Sequence, residues 1–191
     1  MRHKGVKKTE TRQKIIAAAS RGFRSHGYAG IGVDGLAKAA GVTSGAFYSH
    51  FGSKDAAFDV ALDVGLDEVI EAIPNFQKEH GADWVEAFAE YYLGKRHRRD
   101  LECGCAMATL TPEVVRSNSK VHAAFEKKMT QIADLVSHGL AGDSDEERRA
   151  KAWAILSVLI GGINVARAMK GAKVADEVAN ATITAATAVA S

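Results

Sequence analysis

Apolar residues recur at three- and four-residue spacing along almost the whole of this 191-residue chain, and only two prolines, Pro74 and Pro112, punctuate it. A period near 3.6 marks helices that bury one face, and proline is the residue that most often breaks them. Alanine, the strongest helix former, is plentiful, and strand-like alternation of β-branched residues is nearly absent. The spacing predicts an all-α fold. With 47% hydrophobic and 25% charged residues, the chain has no low-hydrophobicity signature of disorder.

The pattern divides into about nine helices: 10–27, 33–40, 43–51, 54–73, 81–98, a short one at 105–117 interrupted at Pro112, 120–140, 145–171 and 174–190. Thr9 or Thr11 is placed to cap the first, and Gly27 stands where a helix commonly stops. Gly41 is expected to take a left-handed turn, with Thr43 or Ser44 capping the helix after it. Pro74 is expected to end the helix that starts at Lys54. Two domains are expected, 1–55 and 56–191, joined along that helix and not by a loose linker.

Charge is uneven. Residues 1–60 hold ten Lys and Arg against four acids, a net +6. The whole chain carries +2, so the remainder carries −4. A basic end on a mildly acidic body points to a polyanion as partner of the first third. The charged N-terminus does not read as a secretory signal. The most apolar stretch, 152–169, contains Ser157, Asn164 and Arg167 and falls short of the ~20 clean apolar residues of a spanning helix, so no membrane partner is expected. Two cysteines suggest no disulfide framework, and the expected location is cytoplasmic.

The stretch VDGLAKAAGVTSGAFYSHFGSK, residues 33–54, brings Ser44, Tyr48, Ser49, His50 and Lys54 close in sequence. A small α-helical hydrolase would need a serine with a base in reach and a third group orienting that base. The G-x-S-x-G elbow is absent, and nothing turns Asp55 or Asp59 toward His50. On a helical wheel, Phe47 and Phe51 share one side while Gly45, Ala46 and Ser49 face away, flanked by Tyr48 and His50. Two large anchors thus pin the helix to a core, and its opposite face, small and without bulky charge, can approach another surface closely. Joined through Gly41 to the preceding short helix, with Ala37 at the crossing and Val42 inside the turn, this is a helix-turn-helix pattern.

On these residues the chain resembles the tetracycline-repressor (TetR) family of bacterial transcriptional regulators. The family's A-x-x-A-G-V, F/L-Y-x-H-F and K-[DE]-x-[LA] elements stand as Ala37–Val42, Phe47–Phe51 and Lys54–Ala57, within a motif covering roughly 11–60. A G-C-x-x-A sequence, Gly104–Ala108, also recurs in the family. The resemblance implies a three-helix DNA-binding domain and a larger helical domain for effector binding and dimerisation. It implies a homodimeric repressor, released from a palindromic double-stranded DNA operator by a small-molecule effector, with no catalytic role and no cofactor. Thr43, Ser44, Gly45, Ala46, Tyr48, Ser49 and His50 would lie in or over the major groove, Tyr48 and His50 mainly on phosphates. Lys54 would hold a phosphate at a helix N-terminus, and Thr11 and Arg12 would reach the backbone. Serines at 44 and 49 and a glycine at 32 depart from many relatives, so phosphates and the basic arm (Arg2, Lys4, Lys7, Lys8) should carry a large share of affinity.

In the body, Leu156, Leu159, Gly162, Ile163 and Ile183 are expected at the dimer interface that the resemblance places on the last two helices; an intrachain core helix is the other reading. Trp84, Phe88, Tyr91, Met107, Leu110, Phe125 and Met129 are candidates to line an effector cavity, although aromatics and methionines at helical spacing are more often plain core. KRHRR at 95–99 reads as a solvated helix end, with anion binding a lesser option. Cys103 and Cys105 leave open a redox- or metal-responsive regulator on the same scaffold, His97 and His122 being possible further ligands; the usual C-x2-C spacing is missing, and no metal site is assigned.

Overall fold

The structure is a computed structural model that describes residues 2–191, with side chains from residue 8 onward. The described residues form helices and turns without a strand: α1 (Arg2–Gly30), α2 (Val33–Ala39), α3 (Ser44–Phe51), α4 (Lys54–His80), a 3-10 turn (Gly81–Asp83), α5 (Trp84–Leu93), α6 (Lys95–Arg99), α7 (Ala106–Thr109), α8 (Thr111–Val115), α9 (Ser119–His138), α10 (Asp145–Ala168) and α11 (Ala172–Ala190). Taking α5 with α6 and α7 with α8 as interrupted pairs makes nine, the number the periodicity predicts.

Helix ends follow local chemistry. Thr43 caps α3 by accepting from the Ala46 N–H at 3.2 Å, and Ser53 caps α4 by accepting from Ala56 at 3.0 Å. Asn118 accepts from both Lys120 and Val121 to start α9. Ser144 caps α10 while Glu147 reaches back to the Asp143 N–H, and Asp145, Glu146 and Glu147 fill the positive first turn.

Three expectations need correction. Thr9 and Thr11 lie inside α1 and not at its cap, because the helix already runs from Arg2. Gly27 does break it, at φ 70° and ψ 174°. Pro74 does not end α4, which continues to His80. An interior proline costs about 3 kcal/mol, and the packing beyond it offsets that. Ile73 is fully buried, Phe76 meets Phe88 edge-on at 5.2 Å, and Gln77 Nε2 donates to the Leu135 carbonyl at 2.8 Å. Finally, the helix expected over 81–98 is broken at Gly94, whose ψ of 151° is extended, before the chain re-enters helix at Lys95.

One continuous core joins the elements. Ile15, Ala19 and Phe23 of α1 meet Leu36 of α2, Phe47 of α3 and Phe58 of α4, and α4 carries the core onward to α5, α7 and α9. α10 and α11 pack along each other and against α5. By length and composition α10 is long and apolar enough to cross a membrane; here it begins with acidic and basic residues and buries Ile155, Leu156, Leu159 and Ile163 against its neighbours.

Candidate nucleic-acid interface

The site is assembled by the short helices. Leu36 and Ala37 pin α2 to the core, and Phe47, fully buried, pins α3; a buried phenylalanine is worth roughly 2–3 kcal/mol. Between them Gly41 takes φ 67°, a conformation that other residues adopt only with strain. That turn lets the Val42 N–H reach the Ala37 carbonyl at 2.9 Å. Phe51 is half-buried, lies 5.7 Å from Phe47, and is covered by the Arg12 guanidinium at 4.9 Å from its ring. With one face of α3 committed to the core, Gly45, Tyr48 and Ser49 are left exposed, Tyr48 at 51%. Ala46, Ser44 and His50 sit at the borders, partly buried.

The Ser44 hydroxyl donates to Asp34 Oδ1 at 2.5 Å, linking the first turns of α3 and α2. Its proton is therefore held by a carboxylate on the neighbouring helix, which ties α3 to α2. Gly32 precedes α2 without a side-chain cap, as its identity requires. On the other flank, the Lys54 ammonium lies 4.2 Å over the Tyr28 ring, at the N-terminus of the 27-residue α4. The Tyr28 hydroxyl donates to Asp55. That hydrogen bond, with lesser help from burial and the Asp55 charge, pushes the Tyr28 phenol up to about 12. An ammonium, a phenol edge and a helix's positive end thus share one corner, the combination that binds phosphate.

Thr11 and Arg12 are both half-buried on α1, and Lys8 is exposed; the side chains of Arg2, Lys4 and Lys7 lie outside the described residues. Asp34, Tyr28 and Asp55 were not among the residues singled out from sequence. Asp34 at the start of α2, ten residues before Ser44, carries no signal until the turn folds them together.

The body residues distribute differently. Trp84, Met107, Leu110 and Met129 are buried in the core and line none of the cavities described below. Trp84 is held by its indole N–H on the Gly139 carbonyl at 2.8 Å. Phe88 and Tyr91 border a cavity of about 90 Å³ with Tyr92, His97 and Cys105, and Phe125 is half-buried at the edge of the core. Leu156, Leu159 and Ile163 are at most 1% exposed within a single chain. Together with Ile183 and Gly162, which abuts Thr182, they seal α10 to the chain's own core and to α11. The outer face of α10 is a different one, carrying Ser157, Gly161 and Val165. For Leu156, Leu159 and Ile163 that burial fits the other reading, an intrachain core helix.

Around the cysteines, His97 Nδ1 donates to the Tyr92 carbonyl at 2.7 Å and Nε2 accepts from the Cys105 N–H at 3.1 Å. Both imidazole nitrogens are occupied, and burial lowers the His97 pKa. Burial likewise pushes the Cys105 thiol up, although part of the residue's surface stays exposed. Cys103 is exposed. Among the described residues no three His, Cys, Asp or Glu side chains gather as a metal site.

A buried-anchor recognition helix after a glycine turn, on a helical body, defines a helix-turn-helix protein. Residues 15–61 match the model of the bacterial regulatory proteins of the tetR family. Over 54 residues the chain is 44% identical to the HTH-type transcriptional repressor AcnR of Corynebacterium glutamicum, a match covering 28% of this chain and only 29% of that repressor. The HTH-type transcriptional regulator LmrA of Bacillus subtilis is 25% identical over 166 residues, 80% of this chain and 84% of LmrA. A TetR-family transcriptional regulator from Cytophaga hutchinsonii has the same fold, with a TM-score of 0.79 at 19% identity over 95% of this chain and 96% of that one. The reduced form of E. coli NemR superposes at 0.73, with 18% identity over 92% and 97% of the two chains. Residues 15–61 thus carry the match to the tetR family of bacterial regulatory proteins, and the chain as a whole shares its fold with solved TetR-family structures.

Proposed function

We propose that this protein is a cytoplasmic transcriptional repressor that binds a palindromic DNA operator as a homodimer and leaves it when a small molecule binds the body. The observation that carries the reading is α3, anchored by a fully buried Phe47 and presenting Gly45, Tyr48 and Ser49 outward beside Lys54 at the start of α4. Such a face enters a major groove without steric obstruction, and its cationic flank meets the phosphates on either side. Thr43, Ser44, Ala46 and His50 border the contact, and Thr11 and Arg12 extend it along the backbone. Dimerisation uses the outer face of α10 with that of α11, where Val165 and Val174 are exposed. A two-fold pair of heads then demands a two-fold site.

Selection of DNA fragments from the source genome by the purified protein tests this. A palindromic site should be enriched, bound by two protomers. Absence of DNA affinity even at low salt would overturn the proposal.

A further inference from the structure

Where α6, the end of α10 and the start of α11 meet, a cavity of about 300 Å³ is lined by Lys95, Arg98, Arg99, Arg167 and Lys170, with Asp176 the one carboxylate among them. Asp176 is already engaged: Arg98 Nη2 donates to it, and Lys95 Nζ stands 3.6 Å away. That leaves a large positive excess around a concave space. Two of the arginines are only partly satisfied. The Arg98 side chain is 10% exposed, and its buried Nε has no acceptor. Arg167 gives Nη2 to the His97 carbonyl at 2.9 Å, while its Nε and Nη1 are buried without partners. Burying charged donors unpaired is costly, and an anion in the adjoining cavity offsets part of that cost electrostatically. The third contribution is backbone. α11 is 19 residues long and starts after Gly171 with no side-chain cap, and Ala172 and Ala175 of its first turn line the same cavity. The positive end of that helix therefore borders the space.

We propose that this cavity binds a small, multiply charged anion, of the phosphate or dicarboxylate class, and that this is the chemical class of the effector. Arg98 and Arg167 supply planar, paired donors suited to a bidentate oxyanion; Arg99 and Lys170 close the rim. The site lies at the end of α10 and the beginning of α11, the two helices whose outer faces carry the proposed dimer contact, so an anion that draws α6 and α11 together changes the spacing of the two heads. The effector role rests on the proposed function; the anion site does not.

The test uses the full-length protein, with pyrophosphate and succinate as probes at ionic strength matched with chloride. Calorimetry without DNA should show saturable binding of at least one, and the tighter of the two identifies the headgroup. Arg99→Gln combined with Lys170→Gln, both exposed positions that leave the fold alone, should weaken it roughly tenfold or more. No saturable binding by either probe, or binding unchanged in the double variant, overturns the site. Operator affinity measured with and without the bound probe tests the effector role: binding that leaves the operator affinity of a DNA-competent protein unchanged overturns that role. A protein that binds no DNA counts against the proposed function, and the calorimetry still decides the anion site.

Discussion

Ser44 gives its hydroxyl proton to Asp34 across the helix-turn-helix joint, at 2.5 Å. If Ser44 faces the major groove, as proposed, its oxygen is left there with lone pairs and no proton to donate. In the major groove it can accept from adenine N6 or cytosine N4, and it cannot donate to guanine or to thymine O4. Wild-type protein should therefore show a preference for adenine or cytosine at one position of each half-site. Asp34→Ala frees the proton and should relax that preference by about 1 kcal/mol. Comparing the sequences selected by the two proteins checks it, and identical preferences would show that Asp34 does not set the polarity of Ser44.

The Tyr28–Asp55 hydrogen bond makes a pH prediction. Because the phenol's pKa in the folded chain is raised to about 12 from 10.0, the folded state favours the protonated form. Its stabilising contribution is fully present below pH 10 and is lost as pH rises from 10 through 12. Neutral-pH stability is not affected by this titration. Burial also raises Tyr92 well above its ordinary value, so two of the four tyrosines should ionise late in an ultraviolet titration. Tyr28→Phe should leave one late step. A titration in which the variant retains both would contradict the assignment.

The DNA-binding head was legible because its information is local. Gly41 at a joint, Phe47 and Phe51 one turn apart, and a hydroxyl residue before α3 each specify geometry within a few residues. The sequence left Thr43 and Ser44 as alternative caps, and tertiary contact with Asp34 is what commits Ser44 to another task. Pro74 misled because its local cost is outweighed by Phe76 and Gln77 meeting residues far along the chain. The same holds for α10. It is apolar on most sides, so periodicity alone does not say which side faces α11 and which faces outward; the fold buries Leu156, Leu159 and Ile163 within the single chain.

The proposed placement of the dimer contact on the outer face of α10 can be tested at two adjacent glycines. A Cβ at Gly162 would lie 2.3 Å from Thr182 atoms of α11, whereas one at Gly161 meets nothing within 4 Å in the single chain. Gly162→Ala should lower the chain's own stability by about 1–3 kcal/mol through overpacking. Gly161→Arg should leave the fold intact and dissociate the proposed homodimer, through a charge placed on the outer face. Thermal melts and sedimentation separate the two effects. A Gly161→Arg protein that remains dimeric would place the interface elsewhere.

Cys103 and Cys105, one residue apart from each other, should differ in reactivity. The exposed Cys103 should be alkylated first, while desolvation keeps Cys105 protonated and slow until the protein unfolds. Mass mapping after brief treatment with iodoacetamide reads this directly. Rapid labelling of Cys105 in the folded protein, together with loss of operator binding in peroxide, would favour a redox-responsive regulator instead.

In the proposed DNA complex, Lys54 is the phosphate contact that the geometry makes most specific, since its ammonium is steered by the Tyr28 ring and sits at the start of α4. A phosphate contact releases a counterion whatever the DNA sequence. Lys54→Gln should then weaken operator and unrelated DNA by similar factors, and lower the slope of log affinity against log salt by about one per protomer, so about two for the dimer. Base preference should be unchanged. Tyr28→Phe keeps the ring under the ammonium and should retain most of that slope, whereas Tyr28→Ala removes the platform and should approach Lys54→Gln. Salt titrations of the three variants on one operator fragment decide it; a Lys54→Gln protein with the wild-type slope would mean that Lys54 does not touch the backbone, leaving Arg12, His50 and the basic arm to hold the phosphates.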